Sequence, residues 1–125
     1  MANSNLNVRI FPFFDSVRTP LEADATSDGF RNSGYDNLTL EIGGEGTTNI
    51  AVEGCVNTQD AKNIDLEDSE CNWYPLAALS AQDYSKSSVI SAKGIYFIGV
   101  SGVSRIRVKA TSVSGKVQIV GALSK

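Results

Sequence analysis

The stretch Lys93–Lys125, KGIYFIGVSGVSRIRVKATSVSGKVQIVGALSK, decides the fold class of this chain. At its centre, Arg105–Ala110 alternates strictly between basic and apolar residues. A period of two places the two kinds of side chain on opposite faces of an extended strand. This is the pattern of a half-buried strand, with its apolar face inward. The pair Ser114-Gly115 then separates this strand from a second one at Lys116–Ala122. The stretch therefore predicts two β-strands joined by a turn, as in a β-sandwich or barrel.

The same alternating pattern predicts strands earlier in the chain. Leu38–Ile42 alternates, Gly43–Gly46 reads as a turn, and Asn49–Val56 is expected to return as the antiparallel partner in a hairpin. Three shorter apolar runs complete the set: Trp73–Leu79, Val89–Ile90 and Gly94–Val100. With about eight strands and no βαβ alternation, the sequence predicts an all-β fold. We expect a single antiparallel β-sandwich over residues 35–125, jelly-roll-like or immunoglobulin-like.

Length and composition agree with a single domain. The chain has 125 residues, within the range of roughly 100 to 200 residues that one domain usually occupies. It contains 11 glycines, and only 20% of its residues are charged, which suits short strands and turns better than long helices.

Residues 1–34 are predicted as an N-terminal arm and loop. Asn7–Val17 is rich in apolar residues but contains Pro12, which cannot donate a ladder hydrogen bond and so favours an edge strand or an extended arm. Its large side chains either pack on a neighbouring subunit or seal one end of the sandwich. Polar Thr19–Ser33 reads as a long loop or a one-turn helix. The candidate partner-binding residues of this region are Arg9, Ile10, Phe11, Phe13, Phe14 and Arg18.

Charge and residue types argue against several classes of function. A formal charge of −3 and a sequence pI near 4.8 give no steering toward phosphate backbones, so we expect no nucleic-acid binding. The absence of histidine removes Ser-His-Asp and Cys-His mechanisms, and no other active site is evident in the residues, so we expect no catalytic residues. No apolar run approaches the roughly 20 residues needed to cross a bilayer. We therefore expect a protein made in the cytoplasm and not inserted in a membrane.

Two groups resemble metal sites only superficially. The acidic run at 60–70 has clustered carboxylates, as Ca²⁺ sites do, but lacks the DxDxDG spacing and its glycine, so we expect a solvated loop. Its carboxylates are Asp60, Asp65, Glu67, Asp68 and Glu70. Cys55 and Cys71 flank this loop, and two cysteines in a cytosolic product are more often free thiols than a disulfide. A zinc site needs about four Cys or His ligands, and we expect no metal site.

Two surface features suggest binding. Trp73 and Tyr74, together with other tyrosines, are candidates for stacking on sugar rings, although a lone Trp in a small sandwich is more often its core anchor. The basic residues of the strand at 105–110 are expected in solvent, or paired with acidic residues on neighbouring strands such as Glu41 and Glu53.

The chain also resembles a small β-sandwich domain of tailed-bacteriophage structural proteins. The resemblance rests on Val52-Glu53-Gly54, Trp73–Leu76, Gly94–Tyr96 and Val100–Val108 in this order, and it covers about 35–122. The resemblance implies a virion component without enzyme activity and without a cofactor. Within that class we expect a capsid decoration protein that binds the major capsid protein on the capsid surface and stabilises the head. Analogy with decoration proteins implies a homo-oligomer, specifically a trimer.

Two other virion roles stay open at this point. One is an adhesion module on the tail tip or head that binds host-surface glycan through Trp73 and Tyr74. The other is a tail-tube or baseplate subunit.

Overall fold

The computed structural model describes residues 8–13 and 20–125, and it confirms an all-β, sandwich-like fold. Two antiparallel sheets pack against each other, and a short 3₁₀ turn spans Asp68–Glu70. The strands are β1 (Val8–Pro12), β2 (Ala25–Thr26), β3 (Phe30–Arg31), β4 (Asn37–Gly44), β5 (Thr47–Cys55), β6 (Tyr74–Pro75), β7 (Ala78–Ser80), β8 (Lys86–Ser87), β9 (Gly94–Gly99), β10 (Arg105–Ser114) and β11 (Val117–Ser124).

The two sheets share these strands in a defined order. The six-stranded sheet runs β1-β11-β4-β9-β7-β8, and the five-stranded sheet runs β2-β10-β5-β6 with β3 also paired to β10. Alternate residues of the long strands point inward and form the core between the sheets. Its fully buried members include Leu38, Leu40, Ile50, Val52, Ile98, Ile106, Val108, Ile119 and Leu123.

The hairpin expected from the segment 38–56 is wrong in its pairing. β4 pairs with β11 and β9, whereas β5 pairs with β10 and β6, so the chain crosses from one sheet to the other at Glu45–Gly46. β10 and β11 likewise belong to different sheets, with Ser114-Gly115 at the crossing. Alternation and a glycine turn predict two strands, but they do not say which sheet each strand joins.

The two crossings lie directly against each other. The amide of Gly46 donates to the carbonyl of Lys116 at 2.8 Å. A Cβ placed on Gly46 would lie 2.3 Å from the carbonyl oxygen of Ser114, and one on Gly44 would lie 2.5 Å from that of Lys116. Glycine is therefore required here because the two backbones approach too closely for a side chain.

The N-terminal region contributes to both sheets. β1 pairs with β11 along its whole length, from Val8 with Ser124 to Pro12 with Val120. Of the two alternatives for this segment, the structure shows the edge strand, and Pro12 lies where a missing amide costs no ladder hydrogen bond within the sheet. β2 and β3 both pair with β10. Residues 8–12 and 25–31, expected as arm and loop, are thus built into the sandwich.

The strand count exceeds the expected eight because several strands are very short. β2, β3, β6 and β8 have two residues each. Two residues cannot show a period of two, so these strands leave no pattern in the sequence.

Candidate interaction surface

The outer face of the six-stranded sheet carries apolar side chains where solvent-facing polar ones are usual. Residues directly opposite one another in the pairing register share a face. The register Ile10-Ala122-Thr39-Phe97-Leu79 therefore forms one row across five strands. A second row runs through Val120, Glu41 and Ile95. We call the apolar members of the two rows the outer apolar face: Ile10, Leu79, Ile95, Phe97, Val120 and Ala122.

Exposure confirms that this face is open. Ile10 is 68% exposed, Phe97 45% and Ile95 40%. Beside Phe97 lies a shallow groove of about 550 Å³, bordered by Thr39, Leu79 and Gly99 among others. Antiparallel sheets commonly place polar residues on the face turned to water, and contiguous exposed apolar side chains mark interaction sites. The arrangement suits the docking of a flat partner surface.

Sequence reasoning missed Ile95 and Phe97 as candidates, although a signal was present. GIYFIGV at 94–100 is apolar at every position instead of alternating. Apolar residues on both faces are typical of strands that lie between two layers.

The outer face of the five-stranded sheet is charged. The basic residues of β10 lie on it, and Arg107 Nε donates to Glu53 Oε1 at 2.8 Å, which confirms the expected cross-strand ion pair with Glu53. Glu41 lies in the other sheet and cannot serve the same row. The outer face of the six-stranded sheet is thus mainly apolar, with Glu41 between Val120 and Ile95, whereas that of the five-stranded sheet carries ion pairs.

A loop covers part of this charged face. We call residues 56–70 the cover loop. Asp68 Oδ1 accepts from Arg105 Nη1 at 3.2 Å, and Asp65 pairs with the exposed Arg31. Because the cover loop lies over it, Arg105 is only 8% exposed, so the expectation that this basic residue faces solvent is wrong. Asp68 Oδ2 also accepts from the amide of Gly29 at 2.6 Å, which fastens the loop to the β2–β3 connection.

We predict that Asp68→Ala lowers the free energy of unfolding by about 2 kcal/mol, because it leaves the guanidinium of Arg105 buried without its anion. Asp65→Ala is the matched control: its partner Arg31 is exposed, so about 0.5 kcal/mol or less is expected. Urea unfolding of both variants measures the difference. Equal losses would contradict the assigned role of Asp68.

The two cysteines lie under the cover loop as free, buried thiols, as expected. Cys71 accepts a hydrogen bond from Arg105 Nη1 at 3.5 Å. Burial, with a smaller contribution from the adjacent Cys71 thiol, raises the pKa of the Cys55 thiol from its ordinary 9.0 to about 11, although Arg105 acts in the opposite direction. The folded protein therefore holds the Cys55 proton more tightly than the unfolded chain does.

This shift predicts a loss of stability at alkaline pH. The contribution is fully present below pH 9 and is lost as the pH rises from 9 to 11, because the unfolded thiol ionises first. Urea unfolding of the wild type and of Cys55→Ala, with reductant present, isolates the contribution of the Cys55 thiol to the free energy of unfolding. The stability advantage of the wild type should shrink between pH 8 and pH 11 and stay level below pH 8. An advantage that is the same at pH 8 and pH 11 would count against the shift.

Of the N-terminal candidates, the structure describes the side chains of two. Ile10 is exposed on the outer apolar face. Phe13 packs against the core, and its ring centroid lies 5.1 Å from that of Phe30. Its ring edge occupies the space over Gly121 that a side chain there would need. Phe13 therefore seals one end of the sandwich, the second of the two alternatives. The side chains of Arg9 and Phe11, and Phe14 and Arg18 altogether, lie outside the described residues.

The aromatic candidates for glycan binding do not form a platform. Trp73 lies outside the core on the charged face, so the core-anchor interpretation is wrong. Its Nε1 donates to the Asp68 carbonyl at 2.8 Å, and the guanidinium of Arg107 lies 4.3 Å from its ring centroid. Tyr74 is 66% exposed, whereas Tyr96 is buried in the core. A ring face covered by Arg107 is not free to stack on a sugar.

The acidic run acts as a structural loop in the part of the chain described. Asp60 Oδ1 accepts from the amides of Lys62 and Ile64, and Glu67 and Glu70 form a capping box on the 3₁₀ turn. Among the described residues, no three Cys, Asp or Glu side chains form a group able to hold a metal ion. Within the same residues, no helix has both the length and the apolar character needed to cross a membrane.

Comparison with known proteins identifies structural neighbours but no sequence family. No protein-family model matches the sequence, and no curated protein matches it significantly. The SPBc2 prophage-derived protein YomS has a similar structure over 94% of this chain and 93% of its own, with a TM-score of 0.73 and 16% identity. The PBSX exported protein XepA is similar over 94% of this chain and 38% of its own, with a TM-score of 0.71 and 15% identity. The chain thus spans well under half of XepA, and at these identities the likeness establishes the shared fold.

Proposed function

We propose that this chain is a bacteriophage virion protein that decorates the assembled capsid and binds it through the outer apolar face. The observation that carries the proposal is the row Ile10-Ala122-Thr39-Phe97-Leu79, an exposed and largely apolar strip across five strands. Interface cores are depleted in charge and enriched in aromatic residues, and Phe97 near the centre of the strip fits such an anchor.

The shared fold supports a phage origin. YomS, which matches almost end to end, is prophage-derived, so one sandwich of this size occurs as a phage-encoded protein. The resemblance of the strands at 52–54 and 94–108 to virion structural domains points in the same direction. XepA is described as exported, and a decoration protein also leaves the host, carried on the particle.

The mechanism is binding without chemistry. A protein that binds the assembled shell, and not its free subunits, shifts the assembly equilibrium toward the shell by mass action. The partner is the major capsid protein, and the outer apolar face would bridge neighbouring subunits of the shell. The charged face, covered by its loop and internal ion pairs, would then face the surrounding solution.

Other copies of this chain are the second partner in this proposal. Decoration proteins stand at symmetric positions of the shell, and a homotrimer is the state we expect by analogy. The edge strand β1 joins the face at Ile10, so β1 lies at the border of the docking surface. Light scattering coupled to size-exclusion chromatography measures the mass, for which we expect three times 13.3 kDa.

Immunogold electron microscopy of phage particles from the source strain, with antibody against this chain, tests the proposed function. We expect regular labelling over the head. Labelling confined to the tail would replace decoration by an adhesion or baseplate role, and particles without label would overturn the virion assignment.

A further inference from the structure

Cys55 and Cys71 are two buried thiols beneath the cover loop, and neither belongs to the outer apolar face. Cys55 ends β5, and Cys71 directly follows the 3₁₀ turn that closes the cover loop. Both lie beside Arg105, although 15 residues separate them in the chain: Cys55 pairs with Arg105 across β5 and β10, and Cys71 Sγ accepts from Arg105 Nη1 at 3.5 Å. They are the two cysteines of the whole sequence, and both are buried, at 3% and 9% exposure.

We propose that this pair is an oxidation site, which closes into an intramolecular disulfide when the protein meets a low-molecular-weight disulfide of the glutathione class. The site lies at the base of the cover loop, so the crosslink fastens both ends of that loop to each other and to the charged sheet. The pair suits a crosslink because both thiols lie beside the same side chain, Arg105, beneath one loop.

The reaction balances as two thiol–disulfide exchanges. The Cys71 sulfur, as thiolate, attacks one sulfur of the small disulfide and forms a mixed disulfide, and the other half leaves as a thiolate that takes up the proton. The Cys55 sulfur, after losing its proton, attacks the Cys71 sulfur and displaces the second half. Two protein thiols are oxidised by two electrons, and one small disulfide is reduced to two thiols.

The surroundings favour this order of attack. Arg105 Nη1 lies 3.5 Å from Cys71 Sγ, so a positive charge stands beside the sulfur that reacts first. The raised pKa of Cys55 keeps that thiol protonated and slow at neutral pH. The entry of the small disulfide requires the cover loop to lift. The exposed Arg31–Asp65 ion pair offers little resistance, whereas the contacts of Asp68 must also break, so we expect slow oxidation.

The reduced protein can therefore acquire a stabilising disulfide after synthesis. If the chain leaves the cell on a particle, which rests on the proposed function, it passes from a reducing cytoplasm to an oxidising medium. A crosslink between residues 55 and 71 removes conformations from the unfolded chain and so stabilises the fold. The chemistry itself is a property of the isolated chain and needs no phage partner.

The experiment treats the purified full chain, reduced and folded, with excess oxidised glutathione at mildly alkaline pH. We expect the intact mass to fall by two hydrogens, and non-reducing peptide mapping to join the Cys55 and Cys71 peptides. The midpoint of thermal unfolding should rise by about 10 °C and return after reduction.

The single variants Cys55→Ser and Cys71→Ser are the controls, and each should gain one glutathione without the thermal shift. A wild-type chain that ends with two glutathiones, that forms crosslinked dimers, or that keeps both thiols while the urea-unfolded chain oxidises would overturn the proposal. None of these readouts involves capsid binding, so a failure here is distinguishable from a failure of the decoration role.

Discussion

Gly46→Ala is expected to lower the free energy of unfolding by about 3 kcal/mol, the largest stability effect we predict for a single methyl group in this chain. The added Cβ would lie 2.3 Å from the carbonyl oxygen of Ser114 and 2.8 Å from the backbone of Gly115 and Lys116. Backbone atoms of a second crossing cannot rotate away as a flexible side chain can. Relief requires the two crossings to separate, which stretches the hydrogen bond from the Gly46 amide to Lys116.

Gly99→Ala is the matched control, since a Cβ at Gly99 meets nothing within 4 Å. Because alanine in a strand restricts the unfolded chain more than glycine does, this variant should be neutral or more stable by about 0.5 kcal/mol. Urea unfolding followed by circular dichroism compares the two variants. If Gly46→Ala were as stable as the wild type, the close approach of the two crossings would be wrong.

Phe97→Asp is expected to weaken capsid binding about 100-fold while leaving the sandwich folded. The side chain is 45% exposed, so the free protein loses little packing. In the proposed complex, the same position lies within the docking surface, where a new carboxylate would be buried without a cationic partner. Co-sedimentation of the labelled chain with capsids that lack it measures the change.

Tyr74→Asp is the control for this prediction. Tyr74 is an aromatic residue of comparable size, 66% exposed, on the opposite sheet. Its replacement should leave capsid affinity within about 2-fold of the wild type, because rim and off-interface positions contribute little. If Tyr74→Asp abolished binding and Phe97→Asp did not, the docking surface would lie at the β6 edge of the five-stranded sheet.

The sequence predicts individual strands in this chain better than it predicts their partners. Alternation identifies β4, β5, β10 and β11 because each buries one face and leaves the other accessible. It does not show that β4 and β5 belong to different sheets, or that β10 and β11 do. A crossing between sheets at Gly46 and a hairpin turn require the same residue type. That distinction depends on contacts between segments about 70 residues apart.

Burial on the charged face also escapes local pattern. Arg105 has the sequence context of a solvent-facing residue, and it becomes buried because Asp68, 37 positions earlier, returns over it. Trp73 reads as a core anchor but packs on the guanidinium of Arg107, outside the core. Both depend on how the cover loop folds back, which no period of two or 3.6 encodes.

The candidate site was only partly predictable. Ile10 is a candidate because large apolar residues crowd near the N-terminus. For Phe97, the sequence predicts the strand but does not show which of its faces is exposed. The uninterrupted apolar run at 94–100 carried the signal. What joined the two residues was the register through β11 and β4, which places them in one row.

Cryo-electron microscopy of mature phage heads tests whether the chain decorates the capsid through its outer apolar face. We expect density for a two-sheet sandwich on the outside of the shell, with the face of β11, β4 and β9 against the major capsid protein and the cover loop toward solvent. Heads without such density, or a sandwich attached through the charged sheet, would contradict it.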